Sequence, residues 1–366
     1  MDLYGILAAC DARQAGVDPF LPNEFDPYHR PHHYSEWWLE LSRLGLTRAD
    51  TLWLGFALLA VMLVTTVAMV RPGTPREGLT LFFLLVSPAF LLAVNRTNND
   101  LVVFVLISLG LVCFRRETWP GRALGIILFA GSAVLKYTPL VTLVVLLDLR
   151  PRRSFFAGLG LYGLVLLLGW PGLATPMGHL AQFMPVPEWI YAFGAPLFLR
   201  NYGVNVAWGW QLPAVLLAAW AFWSACAKRV EPATGGSPPE RAAEREFMCG
   251  AASVVGLFFM GSSYVYKLVF AVWLLPWLWR HDAGVAVESR WGRATLYLLL
   301  AVTWLEGGIA VVLNLLIGRW SQPVAHSLLK GTLAVSQLLT WALIACFLRF
   351  LLNYMVRRGR ALWVNG

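Results

Sequence analysis

The sequence has few charged residues and few cysteines. Long hydrophobic runs occupy much of its length instead. Only 13% of its 366 residues are charged, whereas 58% are hydrophobic. A soluble domain of this size does not need so much apolar surface, so the composition excludes an ordinary soluble globular protein. Five scattered cysteines without a CxxC pair exclude a disulfide framework, and we interpret them as packed thiols.

Three short motifs of nucleotide and metal chemistry are also absent. The chain contains no Walker motif, HExxH or Asp-x-Asp. Enzymes with nucleotide-sugar donors commonly hold a metal ion on an Asp-x-Asp pair, so this absence argues against that donor class. One Glu-x-Asp occurs, at Glu24 and Asp26, and we interpret it as part of a solvated loop. His29, His32 and His33 fit no standard zinc spacing, so we expect no metal there.

Long apolar runs recur along the chain and predict a helical membrane protein. They are Leu52 to Val70, Leu79 to Val94, Leu101 to Phe114, Phe155 to Trp170, Val206 to Ala227, Phe247 to Met260, Val265 to Trp279, Ala294 to Ile317 and Gly331 to Leu352. The runs are continuous, which favours transmembrane helices over a barrel. LKYTP (135–139) interrupts a further run, where we expect two short helices in a hairpin. We therefore predict an all-α polytopic integral membrane protein with about eleven helical passes or half-passes.

Basic residues mark alternate connections and orient these helices, because cytoplasmic loops are enriched in Lys and Arg. The cytoplasmic set is Arg71, Arg76, Arg115, Arg116, Arg150, Arg152, Arg153, Lys228, Arg229, Arg241, Arg245, Arg280, Arg290, Arg293, Arg357, Arg358 and Arg360. The net charge of +9 is thus a signal of topology, and we expect no nucleic-acid partner. We predict an exoplasmic segment 1–50, then a transmembrane domain 51–366 with an exoplasmic loop 171–205 and a flexible cytoplasmic connector 228–246.

Four cations fall near the predicted exoplasmic ends of helices, and each has polar or aromatic neighbours. They are Arg96, Lys136, Arg200 and Lys267. A single such charge would extend to the interface, but charges at membrane depth are costly and commonly face a cavity or a partner. Four of them indicate a shared anionic ligand, and phosphate suits both Arg and Lys. The polar run NRTNND (95–100) beside Arg96 is either part of this site or a turn that caps the next helix.

The N-terminal segment predicts a helix from Asp2 to Ala15 that Gly16 ends. A carboxylate at the start of such a helix is either a cap or a general base for a hydroxyl group. The segment is polar and lies on the predicted exoplasmic side, yet no signal peptide is recognisable. We therefore expect a membrane helix upstream of Met1.

The opening stretch DLYGILAACDARQAGVDPF resembles glycosyltransferase family 87. That family contains polyprenyl-phosphate-mannose-dependent mannosyltransferases of the GT-C fold. NRTNNDLVVFVLISLGL and LKYTPLVTLVVLL resemble the family's Asn-rich turn and its Lys-Pro helix break, and SYVYKLVFAVWLLPWL resembles a late segment of related bacterial members. The resemblance runs from residue 2 to about 280.

The resemblance implies a hexosyltransferase that inverts the anomeric centre on the exoplasmic face of the cell membrane. It implies a polyprenyl-phosphate sugar as donor, with mannose the first candidate, and a lipid or cell-envelope glycan as acceptor. Asp2 matches the family's catalytic base, and no metal or cofactor is implied. The residues expected at the donor phosphate are Arg96, Lys136, Arg200 and Lys267. Those expected at the sugar or acceptor are Asn98, Asn99, Asp100, Tyr137 and Tyr266.

Two alternatives stay open at the level of sequence. A transporter or flippase for lipid-linked sugars would line a passage with the same cations, and an inactive GT-C-like membrane protein would keep the fold alone. A transporter should show polar residues through the membrane and internal repeats. The polar residues here collect on one predicted side, which favours the enzyme.

Overall fold

The computed structural model describes residues 2–174, 192–197, 209–227, 237–260, 263–282, 287–316 and 322–364. Nearly all the regular structure in these ranges is helical. Two short strands, β1 (Ala192–Phe193) and β2 (Ser263–Tyr264), pair antiparallel. The prediction of an all-α fold is confirmed.

The described helices are numbered here in chain order. The first seven are α1 (Asp2–Gln14), α2 (Thr51–Val70), α3 (Pro75–Leu85), α4 (Pro88–Asn95), α5 (Asp100–Arg115), α6 (Trp119–Leu135) and α7 (Arg152–Gly169). They continue as α8 (Gln211–Ala227), α9 (Pro238–Phe259), α10 (Leu275–Asp282), α11 (Val287–Leu316) and α12 (Gln322–Val364). The 3-10 helices are Glu36–Leu44, Arg48–Asp50, Thr138–Asp148 and Val265–Leu274.

Several predicted boundaries agree with these elements and others need correction. The predicted run from Leu79 to Val94 is two helices bent by 53°, because Pro88 cannot donate a hydrogen bond and a new helix begins there. Helix α6 does end at LKYTP, as predicted, but the element that follows is a 3-10 helix and not a second short α-helix. The second half of the connector 228–246 is helical, since Ser237 and Glu240 form a capping box at the start of α9.

In the described ranges, fewer helices are long and apolar enough to cross a membrane than the prediction of about eleven passes or half-passes requires. Within the described ranges there are three such spans, Arg48–Val70, Arg152–Gly169 and Lys330–Leu362, and the bent pair α3 and α4 makes a fourth if it is one span. A crossing needs about 20 residues. The apolar helices α6 and α8 have only 17 residues each, and the first turns of α9 carry several charges.

Helix α2 shows why a membrane is the compatible environment. It has 20 residues without a charged group, so it is about 30 Å long, which matches the hydrocarbon core of a bilayer. Large side chains on several of its faces are exposed, including Leu52 at 72%, Phe56 at 64% and Val64 at 71%. Such a surface would be unfavourable in water and is favourable against lipid.

The chain divides into two compact units. The first comprises Met1–Met69, Ala93–Leu140 and Arg153–Pro185, and the second comprises Val70–Leu92, Val141–Arg152 and Val186–Gly366. In the first unit α5 and α6 pack closely through glycines. A Cβ at Gly125 would lie 2.8 Å from the Gly110 carbonyl oxygen, so the two backbones can approach only because both residues lack a side chain.

The second unit contains a buried network of charges. Asp148 accepts a hydrogen bond from Arg245 at 2.8 Å and forms an ion pair with Arg358 at 3.2 Å, and Glu244 accepts hydrogen bonds from Arg357 and Arg358. The network joins the end of a 3-10 helix to α9 and α12. All five residues lie on connections or helix ends that the basic residues predict to be cytoplasmic, so the network ties that end of the unit together.

Candidate functional site

The N-terminal segment of the first unit binds the ends of other helices. The backbone N–H groups of Asp2 and Leu3 donate to the carbonyl oxygens of Arg96 and Thr97 at 2.8 and 3.2 Å. The Trp38 indole donates to the Leu135 carbonyl at the end of α6, 3.1 Å away. Helix ends leave backbone groups without partners, so these contacts satisfy them and fix the segment in place.

Asp2 stands at the centre of a buried polar cluster. Its carboxylate is only 5% exposed and accepts hydrogen bonds from Arg96 Nη2 at 2.9 Å and from Arg96 Nε at 3.4 Å. The amide nitrogen of Asn98 donates to the same carboxylate. A carboxylate has about four lone-pair positions, and the side chains of the described residues use three of them.

The NRTNND run is a turn that its own side chains hold. Asn98 Oδ1 accepts the backbone N–H of Asp100 at 2.8 Å, while its nitrogen reaches Asp2. Thr97 has φ +45°, a left-handed conformation that is a genuine outlier for a β-branched residue. Strained backbone of this kind persists where the surroundings enforce it, and it is commonly found at functional sites.

Lys136 is the second cation of the cluster. It follows α6 in an extended conformation, and its Nζ contacts Asn99 Oδ1 at 2.7 Å and Asp100 Oδ1 at 2.8 Å. The Lys136 ammonium also lies 5.5 Å from the ring centre of Tyr34. Burial, with a further contribution from the Asp100 carboxylate, raises the pKa of the adjacent Tyr137, so its phenol stays neutral.

A small cavity opens beside Asp2, with a volume of about 20 Å³. Its walls come from α1 and from the loop that precedes the 3-10 helix Glu36–Leu44. The lining residues are Asp2, Gly5, Asp26, Arg30, Pro31, His32, His33 and Tyr34. Arg30 pairs with Asp26 at 2.8 Å in this wall. Asp26 is therefore a buried ion-pair partner, and the prediction of a solvated loop is wrong for this residue.

Six of the residues predicted at the site come together in the first unit: Asp2, Arg96, Asn98, Asn99, Asp100 and Lys136. Lys267 and Tyr266 belong to the second unit, where the Lys267 ammonium lies 5.4 Å from the Tyr266 ring centre. Arg200 and most of the loop 171–205 lie outside the described residues. Arg96 and Lys136 were expected to face phosphate, and in the structure each is paired with a carboxylate.

Sequence reasoning missed the role of the loop from 26 to 34 in forming the cavity. In the sequence, His29, His32 and His33 were considered only as possible metal ligands. Among the described residues, no group of three His, Cys, Asp or Glu side chains is close enough to hold a metal ion. His32 is instead buried, and its Nε2 lies 3.2 Å from the Ser35 carbonyl oxygen. Burial lowers the pKa of His32 to about 4, so this ring is a neutral part of the wall.

Comparisons with protein-family models, with curated proteins and with solved structures find no match for this chain. The resemblance to glycosyltransferase family 87 thus stays a prediction.

Proposed function

We propose that this protein is a membrane glycosyltransferase of the GT-C type. It transfers a hexose, with mannose the first candidate, from a polyprenyl-phosphate sugar to a lipid or cell-envelope glycan. The site faces the exoplasmic side of the cell membrane, and the chain makes about eleven passes or half-passes.

One observation carries the proposal. Asp2 and the NRTNND turn are separated by more than 90 residues of sequence, yet they form one buried cluster beside a cavity. Both parts lie on the side that the basic residues predict to be exoplasmic. A buried carboxylate with positioned donors at a cavity is the arrangement that proton abstraction from a hydroxyl requires.

The proposed reaction uses this arrangement directly. A hydroxyl oxygen of the acceptor attacks the anomeric carbon of the donor, and the bond from that carbon to the phosphate oxygen breaks. The electron pair of the broken bond goes to the phosphate, and the hydroxyl proton goes to Asp2. Attack from the face opposite the phosphate inverts the anomeric centre.

The charges of the cluster limit how the phosphate is held. Asp2 and Asp100 balance Arg96 and Lys136, so these four side chains supply hydrogen bonds without a net positive charge. In this proposal Arg96 and Lys136 orient the phosphate through hydrogen bonds. Asn98, Asn99, Asp100 and Tyr137 contact the sugar and the acceptor.

The test is sugar transfer in liposomes that contain the purified protein. Polyprenyl-phosphate mannose with a radiolabelled sugar is the donor, and a lipid extract of cell membranes supplies the acceptors. Transfer of label to a new product supports the proposal. Movement of intact labelled donor between leaflets, with no new product, identifies a transporter and contradicts it.

A further inference from the structure

The charge network of the second unit has more hydrogen-bond donors than acceptors. It consists of Asp148, Glu244, Arg245, Arg357 and Arg358. Asp148 Oδ2 accepts from Arg245 at 2.8 Å, and its Oδ1 lies 3.2 Å from Arg358 Nη2. Glu244 Oε1 and Oε2 accept from Arg357 and Arg358 at 2.7 and 2.8 Å. Every carboxylate oxygen of the network thus has an arginine partner already, whereas each guanidinium has about five N–H donors to place.

Three buried donors at this network have no hydrogen-bond partner among the described residues. They are Nε of Arg357, Nε of Arg358 and the hydroxyl of Tyr354. Tyr354 is fully buried one turn before Arg358 on α12, and the Arg358 guanidinium carbon lies 5.4 Å from its ring centre. The Tyr354 hydroxyl interacts electrostatically with Asp148, Glu244 and Arg358, so it lies near the charges of the network. A buried donor without a partner costs about 1–3 kcal/mol, so this end of α12 is suited to a ligand with several acceptor atoms.

The network also carries an excess of positive charge. Its three arginines meet only two carboxylates. Arg150 adds a further cation at the same place, because its Nη1 donates to the Ala361 carbonyl oxygen at 3.1 Å, near the end of α12. The side chain of Arg357 is 27% exposed, whereas that of Arg358 is 7% exposed. An anion can therefore approach at Arg357, with the buried donors of Arg358 and Tyr354 behind it.

The depth of this cluster matches the phosphate layer of a bilayer. The candidate membrane span Lys330–Leu362 ends four residues after Arg358, a distance of about 6 Å along the helix. The headgroup layer on each side of a bilayer is about 5–7 Å thick. The basic residues predict that this end is cytoplasmic, and the cytoplasmic leaflet carries the anionic phospholipids. Arginine binds phosphate oxygens with two parallel hydrogen bonds, so phosphate suits these donors better than a monatomic anion.

We propose that this end of the second unit binds a phosphate group, with Arg357 and Arg150 at the entrance and with Arg358 and Tyr354 as the buried donors. The phosphate belongs either to the headgroup of an anionic phospholipid or to a free phosphate ion. The site is independent of the proposed sugar transfer, because none of its residues belongs to the cluster around Asp2.

The test is the thermal stability of the purified full chain in detergent, with phosphatidylglycerol, phosphatidylcholine or inorganic phosphate added in increasing amounts. Ligand that binds only the folded protein raises the Tm, and the concentration dependence gives the affinity. We expect phosphatidylglycerol to raise the Tm more than phosphatidylcholine at the same mole fraction. An increase with inorganic phosphate beyond that of potassium chloride at equal ionic strength identifies the free ion as a ligand. An increase with phosphatidylglycerol alone identifies the lipid headgroup.

Tyr354→Phe is the sharpest variant, because it removes one hydroxyl and keeps the ring. Without ligand this variant should be at least as stable as the wild type, since the lost hydroxyl has no partner in the protein. Its affinity for the ligand should fall about threefold to tenfold, and that of Arg357→Gln about tenfold. Arg116→Gln is the matched control, an exposed arginine of the first unit on the same predicted side, and it should keep the wild-type affinity.

The outcomes decide the proposal without a measurement of sugar transfer. Wild-type affinity in both Tyr354→Phe and Arg357→Gln overturns the site, and so does an equal loss of affinity in Arg116→Gln. A wild-type Tm that neither phosphatidylglycerol nor inorganic phosphate raises also overturns it. A ligand-free Tyr354→Phe protein less stable than the wild type shows that the hydroxyl is already bonded within the protein, which contradicts its role as a donor to phosphate.

Discussion

Arg96 and the buried Asp2 form an ion pair across 94 residues of sequence, with Nη2 2.9 Å from Oδ1. The same two residues are joined through the backbone, because the Asp2 N–H donates to the Arg96 carbonyl at 2.8 Å. One residue pair thus fixes both the start of α1 and the orientation of the carboxylate. The position of the proposed base depends on the turn that carries Arg96.

This pair predicts a measurable coupling energy. In a double-mutant cycle of Asp2→Asn and Arg96→Gln, we expect a coupling of about 1–3 kcal/mol in the free energy of unfolding, as found for contacting residues of a charged network. The exposed pair Arg13 and Glu40 of the same unit is the matched control, with an expected coupling below about 1 kcal/mol. Equal coupling energies for the two pairs would show that the contact between Asp2 and Arg96 does not fix the start of α1.

Lys136 and Asp100 predict a larger effect. Their side chains are 9% and 0% exposed, so Lys136→Met leaves a buried carboxylate without its cation. We expect a loss of about 3–5 kcal/mol in the free energy of unfolding. The second change Asp100→Asn should recover part of this loss, because it removes the buried charge that the Lys136 ammonium no longer balances. Thermal melts in detergent of Lys136→Met, Asp100→Asn and the double variant measure the loss and its recovery. A Lys136→Met protein as stable as the wild type would contradict the buried ion pair.

His32 predicts a dependence of stability on pH. Its folded pKa is lowered to about 4 from 6.5, so between these values the unfolded chain binds a proton that the folded chain does not. Stability is complete above pH 6.5 and falls as the pH decreases toward 4, by at most about 3 kcal/mol. His32→Gln should flatten this part of the stability curve, whereas His29→Asn should retain it. An unchanged slope in His32→Gln would refute the assignment.

The close packing of α5 and α6 predicts opposite effects for two glycines of one helix. Gly125→Ala places a Cβ against the Gly110 backbone and the Phe114 ring, so we expect a loss of about 1–3 kcal/mol. Gly131→Ala meets no neighbour and should be neutral or stabilising by up to about 1 kcal/mol. Thermal melts of the two variants give the comparison, and a similar loss in both would mean that the helices do not approach through Gly125.

Sequence patterns located the helices that have strong local signals. The run from Leu52 predicted α2 within one residue, and Gly16, with φ +75°, ends the first helical segment as expected. The break at Pro88 was missed because the residues on both sides are apolar, so hydropathy continues across it. The start of α9 was missed because its first turns are charged and give no hydropathy signal. The capping box at Ser237 and Glu240 marks this start instead.

The site was only partly accessible to sequence reasoning. Asp2, Arg96 and Lys136 could be selected as candidates from the sequence, because charges are rare in the apolar part of this chain. Their ion pairs could not be predicted, because they depend on the tertiary fold that brings residues far apart in sequence into contact. The cavity lies where Gly5 has no side chain and where the loop with Arg30 and His33 passes. Neither feature produces a periodic pattern in the sequence, so the cavity could not be predicted.

Sugar transfer by Asp2→Asn is the most direct test of the central claim, that Asp2 is the base of a glycosyltransferase. The wild type should transfer labelled mannose from the polyprenyl-phosphate donor, and Asp2→Asn should be at least about 100-fold slower, the usual worth of a general base. Asp18→Asn, the same exchange at an exposed position of the same segment, should retain wild-type turnover. Near-normal transfer by a folded Asp2→Asn protein, or no transfer by the wild type, would contradict the account.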